Sequence, residues 1–396
     1  MKNTIIIKLL FSLICFVIFI CTFELILRTT HAFNARISCF VPDPVLSWRF
    51  ASNCEYWHNK ENDHPIIIKN NSYGWRDKER SIKRPPNTYR IAVLGDSYVE
   101  ARQVELDRTF LSLTENALNG EERINVELMN FGRSGFTQTE ELYILKNEVP
   151  EFSPDMVVLF FLAGNDIRDV SRETAPGLVR PFYEVLDNGE LRLDTSFTDM
   201  RGYKIRSLIN NMKRKSAILS LISDRYNAYT RNRQLRKKKI HGDQETDNGL
   251  GLLNGSLSLC TNNPDQAYLR SYSLNKLLIK AISEYCQQRG IRFMLVTIDN
   301  IAYIPDIEAK YRSIDPSFDA NFFEDDLRKY SKLLGIEYLG LQRIFRQAYV
   351  NTGTELHWGH WNYQGHEVVA DALTNRLRTI IYADTTGSAP DMGQIQ

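Results

Sequence analysis

The feature that most limits how this chain can fold is a set of short, largely apolar runs that end on glycine and alternate with segments of helical spacing. YRIAVLG (89–95) precedes RTFLSLTENALNG (108–120), INVELMNFG (124–132) precedes TEELYILKNEV (139–149), and DMVVLFFLAG (155–164) follows. Strands this apolar need cover on both faces, which a sheet with one wet face does not give them. After a gap the pattern resumes with the helical SLNKLLIKAISEYCQQRG (273–290), the strand-like IRFMLVTI (291–298) and GIEYLGL (335–341), and a closing helix, GHEVVADALTNRLRTIIY (365–382). The expected fold is α/β: five parallel strands in a three-layer α/β/α sandwich over residues 89–382.

Residues 4–28, TIIIKLLFSLICFVIFICTFELILR, are interrupted only by Lys8 and Glu24. As a helix they are long enough to cross about 30 Å of hydrocarbon, so a single transmembrane anchor is expected. The competing readings are a buried core helix and a signal peptide cut near Thr30 and Ala32; Glu24 to Arg28 separates those small residues from the apolar run, which disfavours the cut. Lys2 and Lys8 nearly balance Arg28 and Arg36, and the short N-terminal tail favours tail in, body in the periplasm. Cys39, Cys54, Cys260 and Cys286 lie outside the anchor, an even number that suits one or two disulfides there.

Residues 29–88 are polar and turn-rich and read as a stem packing on the main domain. An insertion, 170–263, opens with Asp187-Asn188-Gly189 between alternating runs, a hairpin signal. From Arg201 to Ile240 it carries thirteen Lys and Arg residues against one acid, Asp224, interleaved with Leu208, Ile209, Ile218, Leu219, Leu221 and Ile222. That pattern fits a solvated helix face or a surface for anionic headgroups or an anionic glycan near the membrane. GDQETDNGLGLLNGS then reads as a mobile loop, and residues 383–396 as a disordered tail. Formal net charge is only +1, so no nucleic-acid partner is expected.

In a parallel sheet of this kind, ligands sit beyond the carboxyl ends of the strands. Gly95-Asp96-Ser97-Tyr98 places a hydroxyl at the first strand-to-helix turn, where helix N–H groups stabilise negative charge. Asn130-Phe131-Gly132-Arg133-Ser134-Gly135 follows the second strand and Gly164-Asn165-Asp166 the third. A serine nucleophile needs a base and donors for an oxyanion, and TELHWGHWNYQGH (354–366) supplies histidines. A metal held by His357, His360 and His366 is the alternative use of that cluster, but carboxylate or cysteine partners are missing.

These blocks together resemble the SGNH hydrolase superfamily, the GDSL-type esterases, and in particular its membrane-anchored bacterial members, over roughly residues 66–382. The motifs are IAVLGDSYVEA, NFGRSGFTQTEE, PDMVVLFFLAGNDIRD and HWNYQGHEVVADAL. The resemblance implies a flavodoxin-like sheet, Ser97 as nucleophile, His360 as base, and an oxyanion hole from the Ser97 and Gly135 N–H groups with the Asn165 side chain; Gly132 is the other glycine available for that role. His366 is then a structural helix-start residue, and Asp96 and Asp166 fix their turns. No cofactor is implied.

The chain departs from the family where an Asp usually stands two or three residues before the catalytic histidine, since Trp358 and His357 occupy those places. Three substitutes are open: Glu355 folding back as the acid, a backbone carbonyl leaving a Ser97–His360 dyad, or none, with hydrolysis lost. The expected activity is hydrolysis of an ester on a lipid or an acylated sugar. An acyltransferase acting on an envelope glycan, or a non-catalytic binding or assembly module, would use the same scaffold.

Overall fold

The computed structural model describes residues 2–30, 33, 37–58, 61–120, 125–241 and 253–386. The chain opens with α1 (Lys2–Thr30) and two hairpins, β1 (Phe40–Asp43) with β2 (Ser47–Phe50) and β3 (Glu55–His58) with β4 (Ile66–Lys69). Cys39 and Cys54 form a disulfide at the base of this segment, while Cys260 and Cys286 are free and buried. The stem is therefore built of short strands, where sequence showed only turns.

The body follows as β5 (Thr88–Gly95), α2 (Ser97–Glu100), α3 (Phe110–Asn119), β6 (Asn125–Gly132), α4 (Gln138–Asn147), β7 (Met156–Phe161) and α5 (Asn165–Asp169). The insertion comprises the hairpin β8 (Phe182–Val185) and β9 (Leu191–Asp194), then α6 (Arg201–Lys215) and α7 (Ala217–His241). Most of the stretch read as a mobile loop, residues 242–252, lies outside the described residues. The body resumes with α8 (Gln266–Gln287), β10 (Arg292–Thr297), α9 (Pro305–Ile314), α10 (Phe322–Leu334), β11 (Glu337–Gly340), α11 (Gln342–Thr352) and α12 (Tyr363–Thr386). The last helix runs four residues into the expected tail; 387–396 lie outside the described residues.

The sheet is all parallel in the order β6-β5-β7-β10-β11. Alternate residues of each strand enter opposite cores. Ala92, Leu94, Met129, Phe131, Val157 and Leu159 meet Leu142 and Leu145 of α4 and Leu278 and Ile282 of α8. Ile91, Val93, Val126, Leu128, Val158 and Phe160 meet Phe110 of α3 and Val369, Leu373 and Leu377 of α12. This two-sided burial is what the apolar runs require.

Register then sets the active edge. Gly95 pairs with Gly132 and Leu94 with Leu159, so β5, β6 and β7 end level, and the turns after them lie side by side. Gly132 is needed there for space: a Cβ would lie 2.5 Å from Val99 Cβ and 2.9 Å from the Glu100 backbone nitrogen. Gly132→Ala is expected to destabilise the protein by about 1–3 kcal/mol through overpacking. In chemical denaturation this lowers the midpoint without changing the slope.

Candidate active site

Ser97 is the first residue of α2, at the turn after β5, which lies between β6 and β7 in the sheet. Asp96 caps the helix by accepting from the Tyr98 N–H at 2.9 Å. The Ser97 hydroxyl lies 2.7 Å from His360 Nε2. His360 is presented by a tight loop in which His357 and Trp361 bridge and the Trp358 N–H donates to the His360 carbonyl. Asn362 pins that loop to α12: its Nδ2 donates to the Glu355 carbonyl at 2.7 Å and its Oδ1 accepts from the Gly365 N–H at 2.9 Å. A side chain at Gly365 would meet the Leu356 carbonyl oxygen at 2.4 Å, which explains a glycine in the motif.

The acid that sequence sought beside His360 comes from the other end of the chain. Glu61, in the connection between β3 and β4, places Oε2 2.8 Å from His360 Nδ1 and 3.0 Å from the His360 backbone N–H. A carboxylate at Nδ1 keeps the proton there, leaving Nε2 free to accept from Ser97. Burial pushes the Glu61 carboxyl up, but the hydrogen bonds and charge of His360 outweigh it and hold Glu61 below its ordinary range. Glu61 adopts φ +73°, a left-handed conformation that costs a non-glycine residue about 1–3 kcal/mol and persists where surrounding contacts over-determine it.

Glu355, one of the substitutes the sequence left open, does not pair with His360 among the described interactions; its backbone carbonyl ties down Asn362 and the residue lines the adjoining cleft. The position at Nδ1 is filled by Glu61. Neither the carbonyl-supported dyad nor the missing acid describes this geometry.

The other histidines are committed elsewhere. His357 Nδ1 lies 3.3 Å from the Tyr303 hydroxyl and its Nε2 3.4 Å from Asp299 Oδ2; burial pushes its pKa down to about 4. His366 lies within the first turns of α12, accepts from the Phe110 N–H at 3.2 Å, and is pushed by burial down to about 3. Both are neutral and do not form a metal group with His360; among the described residues no cluster suited to a metal occurs. Asp299, which sequence reading passed over, follows β10 and accepts from Trp361 Nε1 at 2.9 Å, and burial raises it to about 8.

The donors at the strand ends divide clearly. The Gly132 N–H is spent on Asn130 Oδ1 at 2.8 Å, and the Ser134 N–H on Glu100 Oε2 at 2.6 Å. Gly135, at φ +81° with open space where a Cβ would stand, has no hydrogen bond to its N–H among the described interactions. Asn165 donates one amide hydrogen to Asp96 Oδ2 at 2.8 Å, which orients the amide beside Ser97 and leaves its second hydrogen. Asp166 accepts from the Leu162 N–H at 2.8 Å and from Gln138, locking the turn that carries Asn165.

The stem is fastened to this site rather than hung from it. The Arg133 guanidinium lies 4.3 Å from the Trp75 ring centroid and 5.1 to 5.5 Å from those of Phe136, Trp48 and Phe50, so aromatic faces from both hairpin and body enclose it. Tyr56 donates to Glu100, whose other oxygen holds the Ser134 N–H, and Asn62 donates to the Gln103 carbonyl at 3.0 Å. Glu61→Gln is expected to lower kcat on a short-chain ester by about a hundred- to ten-thousand-fold with little change in KM, while Glu355→Gln leaves kcat within about twofold. Steady-state kinetics on the two variants, with circular dichroism to check folding, decide it.

No family model matches the chain, and no curated protein does. Among solved structures it is similar to an acetyl xylan esterase, AlAXEase, at 16% identity and TM-score 0.39, covering 72% of this chain and 98% of that one. It is similar also to an acetylxylan esterase from Geobacillus stearothermophilus, at 12% identity and TM-score 0.38 over 73% and 94% of the two chains. A protein described as lipolytic, of the G-D-S-L family, from Desulfitobacterium hafniense DCB-2 matches at 10% identity and TM-score 0.35 over 72% and 98%. Overlap this loose carries no residue roles across; strand order and motif placement in this chain agree with the SGNH resemblance on their own.

Proposed function

We propose that this chain is a membrane-anchored serine ester hydrolase of the SGNH type whose triad is Ser97, His360 and Glu61. The observation that carries the proposal is the unbroken chain of hydrogen bonds from the Ser97 hydroxyl through both ring nitrogens of His360 to the Glu61 carboxylate. His360 takes the hydroxyl proton as Ser97 Oγ attacks the acyl carbonyl, and the Glu61 charge stabilises the imidazolium that forms. The carbonyl oxygen becomes an oxyanion received by the Ser97 and Gly135 N–H groups and the second amide hydrogen of Asn165. His360 then returns the proton to the departing alkoxide. In the second half, water loses a proton to His360, adds to the acyl-enzyme and releases the free acid and Ser97.

The cleft beside His360 has room for a substrate of mixed polar and apolar surface, such as an acylated sugar. It holds about 860 Å³ and brings Asn254, Ser256 and Asn300 together with Leu257, Ile301 and Trp358. Hydrogen-bonding side chains among apolar ones suit a sugar's mixed surface. Placement of the body outside the cytoplasm is supported by the Cys39–Cys54 disulfide.

Retention of α1 as an anchor rather than a cleaved leader is supported by its tertiary contacts. Glu24 accepts from the Ala217 and Ile218 N–H groups at 2.7 and 3.0 Å, and Leu27 is fully buried. Cutting after residue 30 would leave the Ala217 and Ile218 N–H groups at the start of α7 without their Glu24 acceptor. A fluorophosphonate probe is expected to label the full-length protein at one serine and to lose its target in Ser97→Ala. Labelling that persists in Ser97→Ala contradicts this assignment.

A further inference from the structure

The helix pair of the insertion turns its apolar side outward. On α6, Ile205, Leu208, Ile209 and Met212 recur at the spacing of one helical face, and all are 47–62% exposed. The opposite face, Tyr203, Arg206, Ser207 and Asn210, stands over Phe40, Pro42 and Trp48 of the stem hairpin. A helix that sets polar residues against the protein and an apolar stripe away from it is amphipathic in the reverse sense for a water-facing position. The stripe continues on α7, where Leu219, Ile222, Tyr226 and Tyr229 are 38–65% exposed, while Ala217 and Ser220 are buried.

The position of this stripe identifies what covers it. From Thr4 to Glu24, α1 spans about 30 Å at 1.5 Å per residue, the thickness of a bilayer's hydrocarbon. Glu24 therefore reaches the lipid boundary, and there it caps α7 through the Ala217 and Ile218 N–H groups and the Ser216 hydroxyl. Arg28 donates to the Lys215 carbonyl, closing the last turn of α6 onto the same point. Phe23 and Leu27 of α1 pack against Ala217, Ile218 and Leu221. The elbow between α6 and α7 is thus held at the membrane surface by the anchor itself. Around the stripes, Arg201, Lys204, Arg214, Lys215 and Arg225 are exposed.

We propose that α6 and the first half of α7 lie in the plane of the membrane that α1 crosses, with Ile205, Leu208, Ile209, Met212, Leu219 and Ile222 inserted among its lipids and the flanking Lys and Arg residues on anionic headgroups. Insertion of such a face buries its apolar side chains about 5–10 Å into the boundary region, where nearby cations are attracted to anionic headgroups. The stem hairpin rests on the other side of α6, so the same contact fixes how far Glu61 and the cleft stand from the lipid. The proposal rests on α1 being retained as an anchor, and it does not depend on ester hydrolysis.

The test uses the full chain with Cys15 and Cys21 replaced by Ser, reconstituted in vesicles of phosphatidylcholine alone or mixed with phosphatidylglycerol. An environment-sensitive nitrobenzoxadiazole dye is attached at Leu208→Cys, Met212→Cys or Ile222→Cys, and at Leu333→Cys, an 80% exposed site on α10, as a reference. The expected result is a blue-shifted emission at the first three sites, quenched by lipids spin-labelled near the headgroup, with no quenching at Leu333→Cys. Quenching should strengthen with phosphatidylglycerol and weaken with salt. Water-like, unquenched emission at Leu208→Cys and Ile222→Cys overturns the proposal. Blue-shifted but unquenched emission also overturns it, because protein, such as a second copy, then covers the stripe. Equal quenching in both lipid mixtures overturns the part assigned to the basic residues. Fluorophosphonate labelling of Ser97 in the same vesicles reports separately on the active site.

Discussion

The hydrogen bond between His360 Nδ1 and Glu61 joins two parts of the chain that the sheet alone would leave independent. The sheet and its helices place Ser97 and His360, but without a carboxylate at Nδ1 nothing fixes the tautomer or offsets the imidazolium charge. Here that carboxylate stands on a hairpin connection 299 residues away in sequence. In the proposed triad the stem is therefore part of the catalytic unit, and whatever positions the stem positions His360.

Several contacts serve that end. The Cys39–Cys54 disulfide closes the segment that leads into β3, and a crosslink over a loop of that length removes roughly 3 kcal/mol of chain entropy from the unfolded state. The Arg133 guanidinium sits among stem and body aromatics next to the loop that carries Gly135. Glu100 takes a hydrogen bond from stem Tyr56 on one oxygen and from the Ser134 N–H on the other. The stem thus touches both His360 and the loop that carries Ser134 and Gly135. The strained backbone of Glu61 marks where these constraints meet.

How much of this was legible in the sequence follows from which interactions are local. The five strands were visible because burial on both faces forces apolar runs, and Ser97, Gly135, Asn165 and His360 because each sits in a short motif at a strand end or helix start. The hairpins of the stem were not, since four-residue strands with mixed burial leave no period to detect. Glu61 lies in the polar stretch Glu61-Asn62-Asp63-His64, which looks like any surface turn. Its partner is determined only by the tertiary docking of β3 and β4, so a search for an acid near His360 in sequence led to Glu355. The reversed amphipathicity of α6 was likewise hidden, because the sequence shows an apolar stripe but not which side faces the protein.

Whether the Glu61 carboxylate holds the His360 proton at Nδ1 is read directly by proton NMR of the isotope-labelled protein. A carboxylate-bound imidazole N–H gives a resonance well downfield of ordinary ring protons. One such resonance is expected, coupled to His360 Nδ1, that disappears or moves strongly upfield in Glu61→Gln and is unchanged in Glu355→Gln. A resonance that survives in Glu61→Gln and is lost in Glu355→Gln would contradict the Glu61 assignment.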